Sequence, residues 1–169
     1  WSNKCLLCLG RTKSRKNKII MSFKSLSIKV AIGCDHAGFK LKEKLIIKYD
    51  NYDFLDLGCF SEESVDYPDF GHAVGLAVKE NKANFGIVIC GSGIGISIAA
   101  NKIKNIRAAL CSTSEHAKLS RLHNDANVLG LGARLTKEED IYNIVDTFFD
   151  TDFEGDRHLN RVKKIDNIN

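Results

Sequence analysis

The sequence predicts an α/β fold, a three-layer α/β/α sandwich around a five-stranded parallel sheet. Short apolar, β-branched runs recur at Ser27–Gly33, Asp53–Gly58, Phe85–Cys90, Arg107–Cys111 and Asn127–Gly132. Segments with apolar residues at helical spacing separate them. Strands that alternate with helices in this way form a parallel sheet covered on both faces.

Each element has a local cause. Ser27–Gly33 ends in the turn Gly33–Gly38, and Leu41, Leu45 and Ile46 then recur at helical spacing in a Lys/Glu-rich stretch. After the second strand, Asp53–Gly58, a polar loop runs to Tyr67 and Pro68. There the proline opens a helix carrying His72, Val74 and Val78. Phe85–Cys90 is the third strand, followed by a helix over about 94–103. Arg107–Cys111 leads to the helix of Ala117, Leu119 and Leu122, and Asn127–Gly132 is the fifth strand. Thr136, with Glu139 three residues on, predicts a capping box for the helix of Ile141, Ile144, Val145 and Phe148.

Charge is unevenly placed. Residues 1–20 hold six of the 25 basic residues and none of the 21 acidic ones, so the remainder carries 19 minus 21, or −2. A basic globular face for nucleic acid is therefore not indicated. No apolar stretch approaches the roughly 18 residues of a membrane span, and a cytoplasmic protein is expected. Residues 1–24 are expected to be a basic extension outside the fold, with Met21 a natural start; residues 25–169 form one domain. An acid-poor leader of this kind is also compatible with import into an organelle.

Six cysteines lie at 5, 8, 34, 59, 90 and 111, and four of them close or border strand-like segments, the pattern of reduced thiols. Cys5 and Cys8 have metal-ligand spacing, but no second Cys or His pair completes a site, so no metal is expected.

The segment richest in chemistry follows the third strand. Cys90 is succeeded at once by Gly91, Ser92, Gly93, Ile94 and Gly95, then by a helical pattern. A thiol beside a glycine-rich turn sets a nucleophile or base next to backbone amides able to stabilise an oxyanion. A dinucleotide site is excluded: its third glycine would fall at Ile96, and its acidic residue near the apolar Cys111. Gly33–Lys40 approaches a P-loop but lacks Lys-Ser/Thr after its second glycine. Ligands of such sheets bind at the carboxyl ends of the strands, which gathers Asp35, His36, Cys90–Gly95, Ser112, Ser114 and Arg134 on one rim. His123 is expected beside that rim. By themselves, Asp35 also suits a helix cap and His123 a helix-end cation. Arg157 and Arg161, one helical turn apart, suit either a phosphate or a solvated face.

Five segments then converge on one family. Gly33–Gly38 (GCDHAG), Asp66–Pro68 (DYP), Ile89–Lys102 (ICGSGIGISIAANK), Ser120–Asp125 (SRLHND) and Arg157–Arg161 resemble ribose-5-phosphate isomerase type B. The motifs come in the family's order across about residues 28–165. The wider family includes isomerases of galactose 6-phosphate and allose 6-phosphate.

The resemblance implies a Rossmann-like homodimer, or a dimer of dimers, with clefts at the subunit interface, so that some site residues, not identified by the sequence, cross from one subunit to the other. Its members interconvert ribose 5-phosphate and ribulose 5-phosphate with no metal or organic cofactor. It implies that Cys90 moves a proton between sugar carbons 1 and 2 through an enediolate, which the amides of Gly91, Ser92, Gly93, Ile94 and Gly95 stabilise. Ser92 stands where other members have Thr, and would hydrogen-bond the reacting oxygens. His123 is similar to the residue that protonates the ring oxygen. Asp35, Tyr67 and Asn124 would hold hydroxyls; His36, Arg134, Arg157 and Arg161 would handle the phosphate and nearby oxygens. One subclass places a Glu base where Ile96 stands here, so Cys90 with Ile96 implies the cysteine subclass. His123 beside Asn124 favours a pentose isomerase over the galactose 6-phosphate enzymes. The competing readings are a non-catalytic sugar-phosphate or nucleotide binder and a cysteine hydrolase.

Overall fold

The computed structural model describes residues 28–167; the expectations for residues 1–24 and for Cys5 and Cys8 lie outside the described residues. Five strands, β1 (Lys29–Cys34), β2 (Asp53–Asp56), β3 (Phe85–Cys90), β4 (Ala108–Leu110) and β5 (Val128–Gly132), form one sheet in the order β2-β1-β3-β5-β4. Every pairing is parallel. Six helices connect and follow them: α1 (Phe39–Lys48), α2 (Tyr67–Lys79), α3 (Ile94–Ala100), α4 (Ser114–Asn124), α5 (Glu138–Phe149) and α6 (Asp156–Asp166).

The pleat sorts the strand side chains onto two cores. Val30, Ile32, Cys34, Ile87, Ile89, Leu129 and Leu131 face one side, packed with Leu41, Leu45, Ile141, Ile144 and Phe148 of α1 and α5. Ala31, Val88, Cys90 and Val128 face the other, against Val74 and Val78 of α2 and Ile96 of α3. The expected three-layer α/β/α sandwich is what forms. The chain leaves β1 toward β2 and leaves β3 toward the opposite edge, so a crevice opens between the carboxyl ends of β1 and β3.

Element ends differ from expectation for local reasons. α3 stops at Ala100 because Asn101 turns back on the chain, its side chain donating to the Ala108 carbonyl (2.8 Å) and accepting from the Ala108 amide (2.7 Å). The Thr136–Glu139 capping box does not form. The amide of Thr136 is held by Gly132 O (3.1 Å), and the N-cap of α5 is Lys137 with no side-chain cap bond. Glu138, Glu139 and Asp140 in its first turn face the positive end of the helix dipole instead.

Candidate active site

At the carboxyl edge, β3 delivers Cys90 into a tight turn. Gly93 is left-handed (φ 77°), and a β-carbon there would lie 2.8 Å from Leu131 C and 2.9 Å from Gly132 N, so only glycine fits. The turn brings the Gly93 amide onto Cys90 Sγ at 3.1 Å. An N–H aimed at sulfur is the contact a thiolate accepts best. The Ile94 amide donates to Ser92 Oγ (3.3 Å), leaving the serine hydroxyl hydrogen to point elsewhere. Two of the five amides expected to face an enediolate are thus already engaged, one of them by the sulfur. Ser97, which the sequence did not single out, donates its buried hydroxyl to Gly93 O at 2.7 Å and fixes the turn from below.

Other residues close around Cys90. A β-carbon on Gly95 would fall 2.5 Å from the Tyr67 ring, so the tyrosine lies directly on this glycine. One on Gly91 would fall 3.3 Å from Arg134 Cδ and Nη1. The arginine backbone is pinned by its amide to Gly91 O (2.9 Å). Asp35 is buried and its amide reaches Ile89 O across the crevice (3.1 Å). Its Oδ1 accepts from the amides of Ala37 (2.9 Å) and Gly38 (3.1 Å), organising the turn before α1. His36 Nδ1 accepts from the Val65 amide (3.3 Å), which leaves Nε2 for a proton when the ring is neutral. Asp35, His36, Tyr67, Cys90–Gly95 and Arg134 therefore share one edge.

His123 does not join them within one chain. Helix α4 starts at the carboxyl edge and runs back against the strands, so its last residues reach the amino edge. Arg107, just before β4, confirms the location: its Nε donates to the carbonyls of Asn124 (3.1 Å) and Asp125 (3.0 Å). Cys90 is in register with Gly132 at the far end of β5, so the two places are separated by a strand roughly 13 Å long. The expectation that His123 sits beside the Cys90 rim is corrected accordingly. Arg157 and Arg161 lie with His123, because the Glu154 amide bonds Leu122 O (3.1 Å) and starts α6 there.

At this amino edge His123 stacks flat on His158, with centroids 4.3 Å apart and planes 6° from parallel. Arg157 Nε approaches His158 Nε2 (3.2 Å) and Arg161 Nη1 approaches Nδ1 (3.4 Å). Burial first, then His123 and Arg157, push His158 below the ordinary histidine value. Glu154 stands 3.8 Å from His123 Nε2 and 3.7 Å from His158 Nε2. These three residues offer ligand atoms within 4.8 Å of one another, but two guanidinium groups on the ring nitrogens make the face one for an anion rather than a cation. Glu154 and His158 carried no sequence signal, since their contacts exist only once α6 docks on α4.

The pattern of the Ribose/Galactose Isomerase family matches residues 30–165 of the chain. The chain belongs to this family. It is 45% identical over 139 residues to Ribose-5-phosphate isomerase B of Escherichia coli (strain K12), covering 81% of this chain and 93% of that one. Ribose-5-Phosphate Isomerase B of Clostridium thermocellum superposes with a TM-score of 0.80 at 50% identity, covering 82% of this chain and 95% of that one. Ribose-5-phosphate Isomerase B of Mycoplasma genitalium, solved with bound ribulose-5-phosphate, gives 0.77 at 40% identity, over 82% and 94%. This member of the ribose/galactose isomerase family is thus an isomerase whose described residues include no helix long and apolar enough to cross a membrane.

Proposed function

We propose that the chain interconverts D-ribose 5-phosphate and D-ribulose 5-phosphate at a site completed by two copies of itself. The observation that carries this reading is the division of chemistry: a thiol held by an amide at one edge, and an acid with two arginines at the other. Neither edge alone handles a cyclic sugar phosphate. The occupant facing the Cys90 turn is a second copy of the chain, which brings His123, Asn124, Arg157 and Arg161 of its own amino edge. Exposed apolar side chains beside the turn, Ile94 and Ile98 on α3 and Leu110 on β4, suit burial by such a partner.

Chemistry follows from the placement. The phosphate is held by Arg157 and Arg161, and His123 passes a proton to the ring oxygen as the C1–O bond breaks and the carbon 1 hydroxyl gives up its proton to become the aldehyde. Cys90 thiolate then takes the proton from carbon 2, and the electron pair moves to the carbonyl oxygen to give the enediolate. Returning the proton to carbon 1, while the carbon 1 oxygen gains a proton and the carbon 2 hydroxyl gives one up to become the carbonyl, yields the ketose. Ser92 and Arg134 donate to the oxygens that gain charge; each such donor contributes roughly 3 kcal/mol. Asp35 Oδ2, Tyr67 and Asn124 serve the remaining hydroxyls, and His36 assists at the phosphate end. No step needs a metal or organic cofactor. Four free buried thiols among the described residues suit a reducing cytoplasm, and the catalytic unit is residues 25–169.

Mixing tests the shared site. Cys90→Ala and His123→Asn proteins, each inactive on ribose 5-phosphate alone, regain activity when unfolded together and refolded. Half the dimers are then mixed and each holds one intact site, which gives about a quarter of wild-type activity. Recovery of none rejects a shared site; no ribulose 5-phosphate from the unmutated protein, with or without chelator, rejects the reaction.

A further inference from the structure

Cys34 and Cys59 take no part in the proposed reaction, yet the fold sets them face to face. Beyond the end of β2 the ladder to β1 continues, with Leu57 N on Ile32 O (2.8 Å) and Cys59 N on Cys34 O (3.1 Å). A bond of that kind leaves the two α-carbons about 5–6 Å apart, the spacing most disulfides have. Both residues are buried, and their sulfurs are 3.6 Å apart. We propose that Cys34 and Cys59 are an oxidative modification site, a dithiol that hydrogen peroxide closes to a disulfide, and that closure weakens sugar-phosphate binding.

Two balanced steps suffice. Cys59, with 5% of its surface exposed against 0% for Cys34, attacks one peroxide oxygen, and the O–O bond breaks to give sulfenic acid and water. Cys34 sulfur then attacks Cys59 sulfur; the S–S bond forms, the S–O bond breaks, and the thiol hydrogen leaves in a second water. Sulfur loses two electrons and peroxide gains them. Burial, then Cys59, then Asp56 raise the Cys34 thiol, while the ammonium of buried Lys42 acts the other way. Closure therefore runs slowly at neutral pH and faster as pH rises.

Closure reaches the ligand because both cysteines abut the carboxyl edge. Cys34 immediately precedes Asp35, whose carboxylate builds the 35–38 turn. Cys59 opens the segment whose Val65 amide reaches His36 and which ends at Tyr67. The backbones have no slack, since a β-carbon on Gly58 would already lie 2.6 Å from Cys34 N. Bringing the sulfurs from 3.6 Å to about 2.0 Å re-sets the side-chain torsions of both cysteines and ties the 59–66 loop to the 35–38 turn, so the strain of closure falls on those two segments.

The test uses full-length Cys90→Ala protein, so that the catalytic thiol cannot consume oxidant. Peroxide should produce one linked peptide pair, Cys34 with Cys59, two hydrogens lighter by mass. Calorimetric affinity for ribose 5-phosphate should fall at least fivefold, and dithiothreitol should restore it. Cys59→Ser in the same background should show neither effect. The affinity arm rests on the proposed substrate, so reduced protein that binds no ribose 5-phosphate refutes that substrate instead. Hydrogen exchange over residues 35–38 and 59–66 then reads the same rearrangement without ligand. Oxidation that stops at sulfinic acid or pairs other cysteines overturns the proposal. So does a Cys34–Cys59 disulfide that changes neither affinity nor exchange.

Discussion

Replacing Gly93 by alanine probes the Cys90 turn through stability and rate at once. A left-handed conformation costs an alanine about 1–2 kcal/mol relative to glycine. The new β-carbon would also meet Leu110 Cδ1 at 2.5 Å, Leu131 C at 2.8 Å and Gly132 N at 2.9 Å. Leu110 can rotate away, but the other two are backbone of the strand that carries the turn. Overpacking of that kind adds about 1–3 kcal/mol, for a total of roughly 2–5 kcal/mol. Gly155→Ala is the control, because it has a positive φ of 75° and nothing within 4 Å of its would-be β-carbon. Its ψ of −129° lies outside the left-handed helical region, so it should cost a conformational part alone, about 1–3 kcal/mol. Urea denaturation gives both values. Moving the Gly93 amide off Cys90 should also lower kcat/KM by at least about a hundredfold, a loss of ~2.7 kcal/mol. Destabilisation of Gly93→Ala by less than about 2 kcal/mol, or activity within about tenfold of wild type, would show that the turn is not held as described.

Three further outcomes are expected. Iodoacetamide at neutral pH should alkylate Cys90 ahead of Cys34 and Cys111, with ribose 5-phosphate protecting it. Burial holds Cys34 high and pushes Cys111 up to about 11, so equal labelling rates by mass spectrometry would remove the case for a distinct Cys90. His123→Asn should impair turnover of ribose 5-phosphate, which begins as a closed ring, more than turnover of ribulose 5-phosphate, which cannot close a furanose; equal losses with ribulose 5-phosphate and pre-opened aldose would assign His123 to proton transfer or to the fold. His158 is depressed below its ordinary 6.5 in the fold, so the unfolded chain binds the proton more readily. The stability this contributes is full above pH 6.5 and lost as pH falls through the folded value; urea midpoints of His158→Gln should show a smaller acid decline, and an unchanged slope would contradict the assignment.

What the sequence revealed and what it hid follow from the range of the interactions. Runs such as Phe85–Cys90 declare themselves because a strand covered on both faces must be apolar, and the left-handed turn shows through its glycines. Helix ends were harder to read. Asn101 stops α3 by bonding Ala108, seven residues away, and Thr136 gives its amide to Gly132 rather than capping a helix. The largest discrepancy concerns His123. Being at the end of α4 was legible, but a helix following a parallel strand ends at the opposite edge of the sheet, and that geometry separates His123 from Cys90. Glu154 and His158 gain their contacts only through docking of α6, which leaves no periodic trace.

Arg107 fastens the last turn of α6 to the ends of β4 and α4. Its Nη1 donates to both oxygens of Asp166 (3.0 and 2.9 Å), while Nη2 reaches Asp125 (3.1 Å). All five strands and the Cys90 turn lie before residue 133, so every segment that builds them precedes α6 in the chain. The arginines of α6 come after them in the chain, and Asp166 helps to fasten their helix by its bonds to Arg107. A single guanidinium thereby ties the sheet that builds the thiol turn to the helix that carries Arg157 and Arg161, so a change at Arg107 is felt at both edges.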